Sequence, residues 1–171
     1  MATQILAVLR GHDVEGDLIR VVDHDVRPGV EADMGDGDEW PGIREQVLAA
    51  DILVLATPTW MGHASSVAHR VLERLDAELN TGNLIGKVAV VGVVGNEDGA
   101  HAVSAACFQA LNDVGFSLPA QAVAYWNGEA MGSVDYQDLD GTPDKTRETI
   151  DAVAGNAAHL ARLLESRPYA S

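Results

Sequence analysis

The sequence predicts an α/β protein, a single domain over residues 1–171 folded as a doubly wound three-layer αβα sandwich around a parallel sheet. Short runs of branched apolar residues alternate with longer stretches of helical period, which is how βα units feeding a parallel sheet read. At 171 residues and 47% hydrophobic content the chain can bury one sizeable core. No repeat, linker or low-complexity tract divides it.

Two readings compete for residues 4–9. Ile5, Leu6 and Leu9 recur at helical period, whereas a strand there would have to turn tightly and pair antiparallel with the next one. The helix suits a parallel sheet and is the expectation. Residues 17–23 (DLIRVVD) read as a strand and 41–50 as a helix, with a long loop containing EADMGDGDEW between them. Residues 51–56 form the next strand, followed by a helix from about Ser65 whose stripe is Val67, Val71, Leu72, Leu75 and Leu79. The valine-rich run 87–94 suits a strand covered on both faces. Its helix carries Val103, Cys107, Ala110, Leu111 and Val114 on one side, and Gly115 is placed to end it. A third strand covers 120–125. Thr142 and Pro143 then supply an N-cap and first helical residue for the last helix, striped by Ile150, Val153, Ala157, Leu160 and Leu164.

Composition narrows the function. A formal charge of −15, from 26 acidic and 11 basic residues, repels the phosphates of nucleic acid and of anionic lipid, so neither is an expected partner. One cysteine, Cys107, cannot pair within the chain and reads as a small buried thiol in a reducing compartment, with the cytoplasm as the expected address. The opening MATQILAVL has neither a basic leader nor a cleavage region, and the longest apolar stretches are too short to span a bilayer.

In an open parallel sheet the loops beginning at Thr57, Gly95 and Trp126 emerge on one carboxyl edge, where ligands bind in such folds. Thr57, Pro58, Thr59, Trp60, Met61 and Gly62 combine a fixed turn, a flat apolar side chain for stacking a planar ring, and a glycine that permits close backbone approach. Gly95, Asn96, Glu97, Asp98 and Gly99 bracket polar side chains with two glycines, and the Asn96 amide both donates and accepts. The competing reading makes both loops ordinary turns, with Trp60 packed in the core or in a dimer. Tyr125 and Trp126 shape either the substrate side, a subunit contact or a structural aromatic cluster.

The segments ADILVLATPTWMGHASSVAHRVLERLDA and GKVAVVGVVGNEDGAHAVSAACFQALNDVGF resemble two consecutive βα units of the flavodoxin-like NAD(P)H-dependent FMN oxidoreductases. LIRVVDHDVRPGV, GDGDEWPGIR and AYWNGEAMG agree with one branch of that family in the same order. The resemblance implies a flavodoxin-like fold and FMN at the carboxyl edge, with Thr57 to Gly62 and Gly95 to Gly99 framing its ring. Electrons would arrive from NADH or NADPH. The expected electron acceptor is a small molecule such as a quinone or free flavin, and the expected assembly is a homo-oligomer. No catalytic side chain is expected, because the flavin carries the redox chemistry and the protein positions the rings.

The sequence departs from the family at its start. The family opens with a strand and a Ser-, Thr- and Arg-rich loop that holds the FMN phosphate at a helix N-terminus. Here Met1 falls inside the first helix, so that loop would lie upstream. In the strand order 2-1-3-4-5 the absent first strand is central, and its loss leaves two neighbours unpartnered. None of the 11 basic residues lies in 57–62, 95–99 or 126–142. An electron carrier of flavodoxin type, and a scaffold that no longer binds FMN, are the alternative functions.

Other chemistries find little support. Asp33, Asp36 and Asp38 lack the spacing of a calcium loop and read as a solvated loop. His63 and His69 do not share a helix face, and no zinc set forms around them. GHASS is not a nucleophile elbow, and Ser65 and Ser66 read as helix caps. No G-x-G-x-x-G follows a strand, so a nicotinamide cofactor would sit only transiently on the flavin.

Overall fold

The computed structural model describes residues 1–130 and 132–170. Helix α1 (Ala2–Gly11) settles the competing readings of the N-terminal segment, and Ile5 and Leu9 are its buried face. The other elements are α2 (Trp40–Ala49), β1 (Ile52–Trp60), β2 (His63–Ala64), α3 (Ser66–Leu75), β3 (Val88–Gly95), α4 (Ala100–Asp113), β4 (Val123–Asn127) and α5 (Asp144–Ser166). The sheet order is β2-β1-β3-β4. β1, β3 and β4 run parallel, and β2 pairs antiparallel with the end of β1.

Two apolar layers follow from the alternation of β3. Val88 and Val90 face α1 and α5, together with Ile150, Val153 and Ala157. Ala89, Val91 and Val93 face the other way, onto α2, α3 and α4, with Ile43, Val71, Leu75, Val103 and Leu111. A strand whose side chains alternate between two covered faces must be apolar at every position. Each fully buried valine contributes about 1.5–3 kcal/mol by leaving water. Cys107 is buried in the second layer, as its apolar setting suggests.

Several expectations are corrected. Residues 17–23 form no strand. They make a single 3₁₀ turn at Val21–Asp23, while Ile19 and Val21 pack onto the α2, α3 and α4 layer. Among the described residues no strand precedes Ile52, so this segment has no ladder to join, and apolar packing without a hydrogen-bonding neighbour does not make a strand. On its side away from β3, β1 pairs among the described residues only through Thr59 and Trp60.

Ser65 caps α3 as expected, its Oγ accepting the Ala68 N–H at 3.2 Å, a contact of about 1 kcal/mol. Leu79, however, lies beyond the end of α3 and is exposed. At the last helix the cap position falls one residue later than expected. Pro143 occupies it and Asp144 opens the helix, while the Thr142 hydroxyl accepts from Gln4 Nε2 at 2.6 Å. The acidic loop is not simply solvated either: the Asp38 side chain is fully buried against Arg74, also fully buried.

Candidate functional site

The parallel register aligns Pro58 with Val94 and Val94 with Trp126, and Gly95 with Asn127. The ends of the three parallel strands therefore reach one edge together. The segment expected to be a loop from Thr57 is strand as far as Trp60, because Thr59 and Trp60 pair with Ala64 and His63. Only Met61 and Gly62 turn. Both have positive φ, 53° and 76°, the combination that a two-residue hairpin demands and that Gly62 adopts freely.

Alternation along this extended strand sorts the predicted residues. Thr57 and Thr59 are each 4% exposed, whereas Trp60 and Met61 are 63% and 87% exposed. Core packing of Trp60 is thereby excluded. Thr57 Oγ1 accepts the Ser65 N–H at 3.0 Å and ties β1 to the cap of α3. Thr59 Oγ1 is buried and has no hydrogen-bond partner among the described residues.

Residues 95–99 lie directly against this hairpin. A Cβ on Gly95 would stand 2.8 Å from Thr59 Cβ. One on Gly99, where φ is 143°, would meet Thr59 Cγ2 at 3.1 Å and Gly62 Cα at 3.2 Å. The close approach thus depends on both residues being glycine. Glu97 Oε1 accepts the Gly62 N–H at 3.3 Å, joining the two segments. Asp98 Oδ1 accepts the Gly99 N–H at 2.7 Å, just ahead of α4.

The third component follows β4. Gly128 N–H donates to Gly95 O at 2.7 Å, and Asn96 Nδ2 donates to Asp135 Oδ1. Trp126 and Tyr136 rings lie 5.4 Å apart, and Tyr125 meets His101 edge-on at 5.1 Å. Trp126, Glu129, Ala130, Gly132, Ser133 and Val134 line a cavity of about 440 Å³. A smaller one, about 250 Å³, lies among Met1, Ala2, Ala56, Thr57, Pro58, Gly92 and Val94. Sequence reasoning singled out Trp126 and Asn96, with Gly128 beside them, but missed Asp135 and Tyr136. Their signal was faint, a polar loop after a strand that already carried two aromatics.

The profile of the NADPH-dependent FMN reductase family matches residues 1–130. The 8-demethyl-8-aminoriboflavin-5'-phosphate synthase of Streptomyces davaonensis is 37% identical over 174 residues, covering 91% of this chain and 67% of that protein. A Mycobacterium bovis protein named divalent metal cation transporter MntH is 38% identical over 180 residues, covering 95% of this chain. The match spans only 26% of that protein, and among the described residues here no helix is long and apolar enough to cross a membrane. The structure of RosB with bound 8-demethyl-8-formylriboflavin-5'-phosphate superposes with a TM-score of 0.88 at 33% identity, covering 98% of this chain and 73% of that one. With the parallel sheet and the carboxyl-edge loops in place, the chain belongs to the NADPH-dependent FMN reductase family, flavodoxin-like oxidoreductases that use FMN with NADH or NADPH as electron donor.

Proposed function

We propose that this chain holds the FMN ring between the β1–β2 hairpin and residues 95–99, and passes electrons from NADH or NADPH to a small acceptor such as a quinone or free flavin. The observation carrying this reading is the register that sets Pro58, Val94 and Trp126 side by side, with the exposed Trp60 on one flank and the 440 Å³ cavity on the other.

The residues present fit the ring end of the cofactor. Trp60 offers a solvent-facing aromatic surface, Gly95 and Gly99 keep the second segment close, and Thr59 Oγ1 is a buried hydroxyl still lacking a partner. The phosphate end finds no such fit in these segments, which carry Glu97, Asp98, Glu129 and Asp135 but no lysine or arginine. When bound, FMN supplies the redox chemistry. Trp60 would then offer its face to the ring, the Asn96 carbonyl would present an acceptor to its polar edge while its Nδ2 is held by Asp135, and Tyr125 and Trp126 would stand on the acceptor side. Stacking at contact distance, rather than a general acid or base, is what these residues provide.

The exposed Trp60 and Met61 also form an apolar tip suited to a second copy of the chain, which supports a homo-oligomer. The net charge disfavours nucleic acid, and a single buried cysteine suits the cytoplasm.

The test is a titration with FMN followed by flavin fluorescence, then NADH and NADPH oxidation with quinone and free flavin as acceptors. Saturable binding with turnover is expected. Binding without turnover would identify an electron carrier, and absence of binding a scaffold without cofactor.

A further inference from the structure

We propose that Glu97 is a latch on the hairpin, its carboxylate occupying the Gly62 N–H that a flavin ring needs. The inference rests on the flavin reading above and deepens it.

Residues Met61 and Gly62 are the whole of the turn, so their N–H groups lie at the tip rather than in a ladder. Gly62 N–H is taken by Glu97 Oε1 at 3.3 Å, across from the second ring-framing segment. One N–H serves one strong acceptor, and a ring carbonyl or nitrogen approaching this turn competes with the carboxylate for it. Glu97 is half-buried and reaches in from a loop that a glycine at each end lets lie against the hairpin. Withdrawing its side chain frees the donor. The latch thus sets the affinity of the empty site without touching the chemistry of the flavin.

Lumiflavin, which has the ring and no phosphate, separates the hydrogen bond from simple charge repulsion. Glu97→Ala is expected to bind lumiflavin about 3- to 10-fold more tightly than wild type, the range of one net hydrogen bond. Glu97→Gln keeps an acceptor oxygen and is expected to stay near wild type. In the unliganded protein, the Gly62 amide should exchange with solvent faster in Glu97→Ala but not in Glu97→Gln. Equal or weaker lumiflavin binding by Glu97→Ala overturns the latch and leaves the flavin site standing. A gain by Glu97→Gln as large as that of Glu97→Ala also overturns it, by assigning the effect to charge. Failure of every variant and of wild type to bind any flavin overturns the flavin reading, and the latch with it.

Discussion

Arg74 Nη2 meets Asp38 Oδ2 at 2.7 Å, and neither side chain has any solvent exposure. Arg74 also donates to the Arg27 carbonyl at 2.9 Å and the Glu31 carbonyl at 3.1 Å, and its guanidinium lies 5.6 Å from the centre of the Trp40 ring. Asp38 accepts the N–H groups of Arg27, Met34 and Trp40. One ion pair therefore fastens the loop before α2 onto the last turn of α3.

Breaking this pair from one side strands a buried charge. Arg74→Met is expected to cost about 3–5 kcal/mol in urea unfolding, far more than any loss of packing volume explains. The double variant Arg74→Met with Asp38→Asn should recover part of that loss. An Arg74→Met protein as stable as wild type would show that the pair is not the anchor.

Acid should loosen the same region. Burial pushes the Asp38 carboxyl up, but hydrogen bonds from Arg74 and from three backbone N–H groups outweigh it and hold the group well below the usual carboxylate range. Glu78 behaves likewise: burial raises it, and Arg44, Asn83 and Thr81 bring it below its ordinary value. A depressed folded-state value stabilises the protein above the unfolded-state pKa, and the contribution fades as pH falls below about 4. The urea midpoint should be flat on this account near neutrality and drop steeply below that pH, with a shallower drop in the Asp38→Asn variant.

Trp60→Ala separates binding from stability. With 63% of the residue already exposed, its loss should leave the unfolding midpoint nearly unchanged. FMN affinity should fall by about tenfold, the worth of one aromatic stacking contact. An unaltered flavin titration would place the ring elsewhere.

The two hairpin-side glycines should respond differently to alanine. At Gly62 an added Cβ meets nothing within 4 Å, so Gly62→Ala carries only the strain of its positive φ, about 1 kcal/mol. At Gly99 the Cβ would meet both Thr59 and Gly62, forcing the second segment away from the first. Gly99→Ala should therefore lose flavin binding while its far-ultraviolet circular dichroism stays like that of wild type.

Cys107 should be silent toward thiol reagents in the folded state. Burial pushes its pKa up, away from the reactive thiolate. Modification should appear only as denaturant unfolds the chain, and a rapid reaction in buffer would contradict the packing around α4.

The parts of the fold legible in the sequence are those whose signal is local. The valines of β3 and the stripes of α4 and α5 announce a strand covered on both faces and helices covered on one. Residues 17–23 mislead because branched apolar composition is necessary for a strand but a hydrogen-bonding neighbour is decisive, and none lies beside them. The extension of β1 to Trp60 was hidden for the converse reason: its partner, His63–Ala64, is only two residues long. Asp38 looked solvated because its partner lies on α3, far along the chain, and proximity of that kind leaves no trace in spacing. The site itself read more clearly, since a parallel sheet brings its loops to one edge whatever their sequence.

From Leu55 to Trp60 the burial of β1 alternates strictly: Leu55, Thr57 and Thr59 are buried, and Ala56, Pro58 and Trp60 are exposed. The register of β1 against β3 fixes this parity at the site. One residue gained or lost before Trp60 would exchange it with a threonine at the solvent face and hide the aromatic inside. Variation that retunes this surface must therefore proceed by substitution, or by insertions in pairs, so the hairpin acts as a counting device for which chemistry the edge displays.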